Sequence, residues 1–293
     1  MRVDQGASGK VLVGCSGELL RIDADGSPLH QPVVPFPSNV SGGAVIGESW
    51  VGTWVDQELR EARMAALQLD GDWIDGGARE QLREASGSNL LMPASSIWSR
   101  RLDAEPMALT RTSAGVVFAT LNRGVYLIDE RATELWRSPY PEWSGLTKYR
   151  HSDSIVSCTE HEGKIGLWSR SGSVTLLDAQ DGSFVSSHAI ELMSPLAGAE
   201  YSEDGGWLLM QESGGVGILD NLQHSPRMLN TPGPVFDANY SKGRWRWTGW
   251  RHDGVSLDGK CEIEIRRDIG IGLVGYNVVT NDGRWDEFRA KLL

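Results

Sequence analysis

The sequence predicts an all-β fold, a single β-propeller domain over residues 1–293, with six blades favoured and seven as the alternative. Three observations predict it. Short apolar runs alternate with tight turns, an aliphatic–Asp step recurs along the chain, and the 35 glycines fall mostly in short turn-like clusters. Such a pattern favours many short strands over long helices.

Residues 164–187 show the repeating unit most plainly. Three short apolar runs are separated by the dipeptides Ser171-Gly172 and Asp181-Gly182. Glycine takes the positive φ that a tight hairpin turn requires, so the segment is interpreted as three antiparallel strands.

An aliphatic residue followed by Asp ends the middle strand of this unit, and the same step recurs at intervals of roughly forty to sixty residues, the period of four-stranded propeller blades. The steps are Ile22-Asp23, Leu69-Asp70, Ile128-Asp129, Leu177-Asp178, Leu219-Asp220 and Leu257-Asp258. Each Asp is interpreted as an acceptor for backbone N–H groups of the following turn.

The two ends of the chain carry incomplete units. The unit at 10–34 has no predicted inner strand, and 271–288 has too few strands for a blade. We therefore expect the C-terminal strand to complete the N-terminal blade, which gives six blades and leaves no free sheet edge. A degenerate blade hidden in 76–105 would make seven.

Two segments interrupt the strand pattern. Residues 76–94 combine good helix formers with Gly- and Ser-rich flanks and are interpreted as a loop or helix inserted in a blade. Residues 56–63, DQELREAR, have helical propensity and near i, i+4 spacing for Asp56 with Arg60 and for Glu58 with Arg63. Long excursions from a rigid scaffold often carry binding contacts.

Composition limits the classes of partner. A net charge of −11 disfavours nucleic acid or an anionic membrane as a partner, because phosphate binding needs clustered Lys and Arg. The three cysteines are far apart and form no CxxC pair, which is typical of buried thiols in a reducing compartment. With no apolar leader or long apolar run, a cytoplasmic location is expected.

Several segments resemble propeller repeats. Residues 201–210, YSEDGGWLLM, resemble the Ser-x-Asp-Gly-x-x-Leu turn of WD40-like and TolB-like repeats, and 124–138, GVYLIDERATELWRS, and 172–187 resemble quinoprotein-type (PQQ-like) repeats. The resemblance identifies a repeat class and no specific family. No recurring Gly-His or Trp-Asp pair is present, and the adjacent cysteine pair of quinone-dependent alcohol dehydrogenases is missing, so no cofactor is predicted.

No linear catalytic motif is present: the sequence contains no phosphate loop, GxSxG, HExxH or CxxC. Two loops nevertheless place a base beside a carboxylate, His151 with Asp153 and His252 with Asp253. If both loops faced one axial funnel, they would form an acid–base or metal site. Ordinary turn residues with a local carboxylate are the alternative.

A strand rich in Arg and Trp begins at Arg244. Alternation along a strand would place Trp245 and Trp247 on one face and Arg244 and Arg246 on the other. The arginine face would then bind a carboxylate, a phosphate or an acidic partner. The alternative is an arginine row salt-bridged to the next blade.

The sequence thus favours a non-catalytic binding or scaffold propeller that holds another protein through the loops 56–63 and 76–94. Candidate binding residues are Asp56, Glu58, Arg60, Arg63, Arg244, Arg246, His151, Asp153, His252 and Asp253. A metal-dependent, lactonase-like hydrolase with an axial cation is the second possibility. A carbohydrate or small-ligand binder is the third, and it requires at least two exposed tryptophans on one side.

Overall fold

A computed structural model describes residues 1–84, 91–143, 153–257 and 259–291. The chain divides into two compact units, Met1–Tyr140 and Pro141–Leu293. Within the described residues, seven antiparallel sheets follow one another along the chain, three in the first unit and four in the second. No helix in these ranges is both long enough and apolar enough to cross a membrane.

The first unit contains eleven of the strands found in the described residues and one short helix. Sheets 1, 2 and 3 are β1–β3, β4–β7 and β8–β11, each ordered as in the sequence. The elements are β1 (Arg2–Gln5), β2 (Lys10–Val13), β3 (Leu19–Ile22), β4 (Asn39–Ile46), β5 (Ser49–Asp56), β6 (Glu61–Gln68), α1 (Glu80–Glu84), β7 (Ser96–Arg101), β8 (Pro106–Arg111), β9 (Val116–Thr120), β10 (Gly124–Ile128) and β11 (Glu134–Pro139).

The second unit forms sheets 4 to 7, namely β12–β15, β16–β19, β20–β23 and β24–β26. Its strands are β12 (Ile155–His161), β13 (Lys164–Ser169), β14 (Ser173–Asp178), β15 (Phe184–Ala189), β16 (Leu196–Ser202), β17 (Gly206–Gln211), β18 (Val216–Leu219), β19 (Arg227–Leu229), β20 (Val235–Ser241), β21 (Arg244–Gly249), β22 (His252–Leu257), β23 (Lys260–Ile265), β24 (Gly270–Val274), β25 (Asn277–Thr280) and β26 (Trp285–Glu287).

The repeating unit predicted at 164–187 is confirmed. It forms β13, β14 and β15, and both predicted turn glycines have positive φ, +93° at Gly172 and +72° at Gly182. The aliphatic–Asp steps at Asp23, Asp129 and Asp178 also behave as predicted, and Asp258 lies outside the described residues. Oδ1 of Asp129 accepts the N–H groups of Arg131 and Thr133, and Oδ1 of Asp23 accepts those of Asp25 and Ser27.

The favoured number of six blades is wrong, because seven sheets are present. The N-terminal sheet has its own inner strand, β1, which the sequence did not reveal because Arg2–Gln5 is short and mostly polar. The C-terminal strands pair among themselves as sheet 7, so β26 completes that sheet and not the N-terminal one. The described residues of 76–105 form no extra sheet, since β7 is the fourth strand of sheet 2.

The fourth strand carries the same irregularity in three sheets. The pairing shifts by one residue opposite Ala66/Leu67, Leu127/Ile128 and Leu176/Leu177. The extra residue of each bulge is Ile97, Leu135 or Val185, and each of these apolar side chains is exposed. A bulge turns its extra side chain out of the ladder, so one exposed aliphatic residue per outer strand is a property of the repeat.

Large side chains fill the space between neighbouring sheets within each unit. Trp168 of sheet 4 packs against Trp207 of sheet 5 at 6.3 Å between ring centroids, and Trp245 and Trp247 of sheet 6 join the core cluster of sheet 5 residues. All twelve tryptophans lie in the described residues, and Trp250, 47% exposed, is the one with a largely open ring. Packing between sheets is therefore the role of most of the tryptophans.

His161 is enclosed in the same layer between sheets 4 and 5. Its ring lies 4.7 Å from that of Trp207 and 5.2 Å from that of Tyr201. Burial, assisted by the positive charge of Lys164 and opposed by Glu162, lowers the pKa of His161 to about 4. The imidazole is therefore neutral at pH 7.

Gly172 and Gly163 allow two effects of a Gly→Ala substitution to be measured separately, the strain of a positive φ and steric overlap with the backbone. A Cβ on Gly172 would lie 2.5 Å from the carbonyl oxygen of Ile190, whereas Gly163, with φ of +70°, has open space around it. We expect Gly163→Ala to lower the free energy of unfolding by about 1 kcal/mol, the cost of the positive φ alone. Gly172→Ala should lower it by about 3 kcal/mol, because the backbone must also move. Urea denaturation measures both, and equal losses would contradict this account.

His161 should make stability depend on pH. Its pKa is lower in the folded chain than its ordinary value of 6.5, so the unfolded chain binds more protons between those two values. Stability should therefore fall as the pH drops from about 6.5 towards about 4. In His161→Phe, the loss of unfolding free energy between about pH 7 and about pH 4.5 should be smaller by about 2 kcal/mol. An unchanged pH dependence in the variant would show that His161 is not responsible.

Candidate functional site

The two loops predicted to carry function are joined in the structure by four charged side chains. These side chains, Asp56, Glu58, Arg79 and Arg83, are here called the turn–helix network. Arg79 lies 3.1 Å from Asp56 and 2.9 Å from Glu58, and Arg83 lies 2.5 Å from Glu58. The network connects the turn between β5 and β6 to the helix of the insertion.

The segment 56–63 is a strand end, a tight turn and a strand start, so its helical propensity does not lead to a helix. Asp56 ends β5, Glu61 begins β6, and only 57–60 form the turn, with Arg60 at φ +53°. Antiparallel pairing of the two strands outweighs local helix propensity. The expected pairings of Asp56 with Arg60 and of Glu58 with Arg63 are replaced by bonds to Arg79 and Arg83.

Asp56 holds the turn and the insertion together. One of its oxygens accepts the N–H of Leu59 at 2.9 Å, and both accept from the Arg79 guanidinium. Burial raises the pKa of Asp56, but the hydrogen bonds from Leu59 and Arg79 outweigh it, and the net shift is downward. The pKa of Glu58 is also lowered, chiefly by its hydrogen bond from Arg79. Both carboxylates are therefore ionised at neutral pH.

The described part of the insertion is docked onto sheets 1 and 2. Leu82 of α1 and Trp73 lie in the core cluster with Trp54 and Phe36. Backbone hydrogen bonds from Gly76 to Val34 and from Ala94 to Pro35 fix its two ends. The described part of the insertion is thus held against sheets 1 and 2.

Arg60 and Arg63 lie apart from each other. Arg63 is buried in β6, where it bonds Ser99 and Glu61, and it does not reach the turn surface. Arg60 lines a depression of about 670 Å³ together with Gln57, Arg101 and Glu105. The Gln57 amide donates to Glu105 across this depression at 2.9 Å.

His252 and Asp253 are both fully buried within the second unit. Asp253 is fully buried and accepts from the guanidinium of Arg266 at 2.8 and 3.0 Å, from the hydroxyl of Thr248 and from the N–H of Arg289. His252 is also buried; desolvation lowers its pKa, and the Trp250 carbonyl lies 3.0 Å from its Nδ1. The sequence pattern of β22 does not reveal this burial, because alternation identifies two faces of a strand but not that both are buried.

His151 lies outside the described residues. Asp153 precedes β12, and its Oδ1 is buried with no hydrogen-bond partner among the described residues. Within the ranges that the structure covers, no three His, Cys, Asp or Glu side chains converge to hold a metal ion. The two free cysteines Cys15 and Cys261 are exposed and only Cys158 is buried, so the expected burial holds for one of three.

Arg244 and Arg246 line a pocket of about 390 Å³. The predicted alternation along β21 is confirmed, because Trp245 and Trp247 pack toward sheet 5 while Arg246 lies against Phe288 and Tyr276 of sheet 7 and its connections. Lys242 and Lys291 also line this pocket. We call this site the basic pocket.

Sequence reasoning did not name Arg79, Arg83, Tyr276 or Phe288. The i, i+4 spacing of Arg79 and Arg83 places both on one side of a short helix and was available in the sequence. Tyr276 and Phe288 reach the basic pocket only because sheet 7 packs beside sheet 6, and no spacing in the sequence expresses that.

No family model and no curated protein matches the sequence. Similar solved structures include the following three. The computationally designed Ika8 protein has a TM-score of 0.61 and 11% identity and covers 97% of this chain and 94% of its own. BamB from Moraxella catarrhalis has a TM-score of 0.57 and 12% identity, and the match covers 96% of this chain and 81% of that chain. The Neurospora crassa Pan2 WD40 domain has a TM-score of 0.58 and 10% identity, and the match covers 83% of this chain and 73% of that chain.

The fold is a β-propeller. The seven antiparallel sheets are its blades, and the WD40-like and quinoprotein-like repeat class predicted from the sequence is confirmed by these neighbours. At such low identity the likeness shows the fold alone. Propellers are commonly used to bind other proteins.

The buried Asp253–Arg266 pair gives a stability test. Removing the carboxylate leaves a fully buried guanidinium without its main partner, which typically costs 3–5 kcal/mol, so we expect Asp253→Asn to lower the free energy of unfolding by about 3 kcal/mol. Asp282→Asn is the matched control, because its pair with Arg284 is exposed and should contribute less than about 0.5 kcal/mol. Urea denaturation compares the two, and similar losses would refute the structural role of Asp253.

Proposed function

We propose that this propeller is a non-catalytic binding module that holds another protein on the surface formed by the 57–60 turn and the insertion at 76–94. The observation that supports the proposal is the docking of the insertion. Leu82 is buried in the core while Arg79 and Arg83 on the same short segment are about half exposed and tied to the turn. A surface held in one conformation loses little entropy when it binds a partner.

Exposed apolar side chains adjoin this surface at the base of the insertion. Ile74, Met92 and Ile97 are each more than half exposed. Ser95 brings them together, because its hydroxyl receives the N–H of Ile74 and donates to Asp72, while Met92 and Ile97 lie within three residues of it in the chain. Apolar residues bordered by charged groups are the usual composition of a protein-binding surface.

The charges of the turn–helix network suit a protein partner of mixed charge. Glu58, Arg79 and Arg83 lie at the surface with both signs represented, so they would form ion pairs with charged side chains of a partner. Such peripheral charges affect partner choice and association rate more than affinity.

Ile97 and Leu135 provide a matched pair for testing the proposal. Both are the bulge residue of an outer strand, and they are 52% and 50% exposed. They differ in that Ile97 adjoins the insertion. Substitution by Asp at either site should therefore change the free energy of unfolding by the same amount.

The test uses the full chain as bait, with wild type, Ile97→Asp and Leu135→Asp compared by quantitative mass spectrometry of the captured proteins. We expect at least one partner to be retained equally by wild type and Leu135→Asp and reduced at least tenfold by Ile97→Asp, since a buried charge in an interface costs more than about 1.4 kcal/mol. Equal melting temperatures of the two variants serve as the folding control. Identical capture by the two variants would contradict the proposal.

A further inference from the structure

The basic pocket contains an arginine that is buried without a carboxylate partner among the described residues. Arg246 is 7% exposed, and its Nε has no hydrogen-bond partner there. Its guanidinium donates to the carbonyl of Gly275 at 3.0 Å, which is a neutral acceptor. Burial lowers the pKa of Arg246, as expected of a desolvated cation.

The carboxylate whose charge acts on Arg246 is that of Asp253, and it is already hydrogen-bonded to other groups. Asp253 attracts Arg246 electrostatically, but both of its oxygens accept from Arg266, Thr248 and the Arg289 backbone. Asp253 therefore balances the charge of Arg266 and not that of Arg246. A buried charge without an ion-pair partner is costly to the fold, so its presence indicates a ligand that supplies the missing charge.

Aromatic and aliphatic groups form the rest of the pocket around Arg246. The guanidinium carbon lies 4.3 Å from the ring centroid of Phe288 and 5.5 Å from that of Tyr276. Nζ of Lys242 lies 4.6 Å from the Tyr276 centroid, at the pocket's edge. Val255 and Ala290 complete the apolar lining.

The charge of the lining is positive. Lys242, Arg244, Arg246 and Lys291 contribute four positive charges, and Glu287, paired with Lys291, contributes one negative charge. A space of about 390 Å³ lies at the lower end of the range for small-molecule sites. The lining therefore suits a small anion that has an apolar body.

We propose that the basic pocket binds a small organic carboxylate, with the carboxylate at Arg246 and an apolar body against Tyr276, Phe288 and Val255. One carboxylate balances the one uncompensated charge of Arg246, which lines the pocket. A phosphate monoester would bring a second negative charge, and Lys242 and Lys291 would balance it only weakly, because both are exposed and solvent screens their charges. This site is separate from the protein-binding surface proposed above and does not depend on it.

The test is a panel of aryl and alkyl carboxylates, each paired with its neutral amide and with the matching phosphate monoester. Ligand-observed NMR screens the panel against the full chain, and calorimetry measures the dissociation constants. We expect carboxylates to bind at least tenfold more tightly than their amides, and binding to weaken as salt is added, because the attraction is electrostatic. Saturating carboxylate should also raise the melting temperature.

Arg246→Met is the decisive variant, because methionine keeps an apolar stem against Phe288 and removes the charge. It should reduce carboxylate affinity at least tenfold, abolish the thermal shift, and leave the unliganded melting temperature equal or higher, since an uncompensated buried charge is gone. Arg267→Met, at an exposed arginine outside the pocket lining, is the control and should bind as wild type does.

Any of four outcomes would overturn the proposal. The first is that no carboxylate of the panel binds, and the second is that acids and amides bind equally. The third is that phosphate monoesters bind more tightly than the carboxylates in an Arg246-dependent manner, which would assign the pocket to phosphate. Unchanged affinity in Arg246→Met would place the ligand elsewhere.

Discussion

Burial of both faces of the middle strands is the constraint on which the rest of each unit depends. In β13 and β14 nearly every side chain is buried, and the same is true of β9 with β10 and of β21 with β22. A sheet buried on both sides needs a neighbour on each side, so its large side chains must interlock with those of the next blade. The tryptophans meet this requirement because one indole spans much of the space between two sheets.

The same constraint explains how a charged residue comes to be buried on β21. Alternation sends Trp245 and Trp247 toward one neighbouring blade, and it necessarily sends Arg246 toward the other. There the guanidinium lies between the aromatic rings of Phe288 and Tyr276. Arg266, a few residues later, is satisfied by Asp253 and Asp286, so the fold neutralises one of these two buried cations and not the other.

The insertion in blade 2 shows a different use of the same core. Its Trp73 and Leu82 extend the apolar cluster of sheets 1 and 2, and its arginines hold the 57–60 turn. The described part of the insertion is thereby held by apolar burial on one side and by ion pairs on the other. The pairs of Glu58 with Arg79 and Arg83 are exposed and contribute little energy individually, so the burial of Leu82 and Trp73 is the main stabilising contribution.

The sequence by itself determined the repeat, the turns and the strand alternation, because these depend on residues close together in the chain. Gly172, Asp129 and the Trp245–Trp247 alternation were all predicted correctly for that reason. The tertiary structure decided what separate segments do to one another. It replaced the i, i+4 pairing suggested within 56–63 with bonds to Arg79 and Arg83, enclosed His252 and Asp253, and brought Tyr276 and Phe288 to Arg246. Each of these depends on which blade lies beside which, and period and propensity carry no information about contacts between segments far apart in the chain.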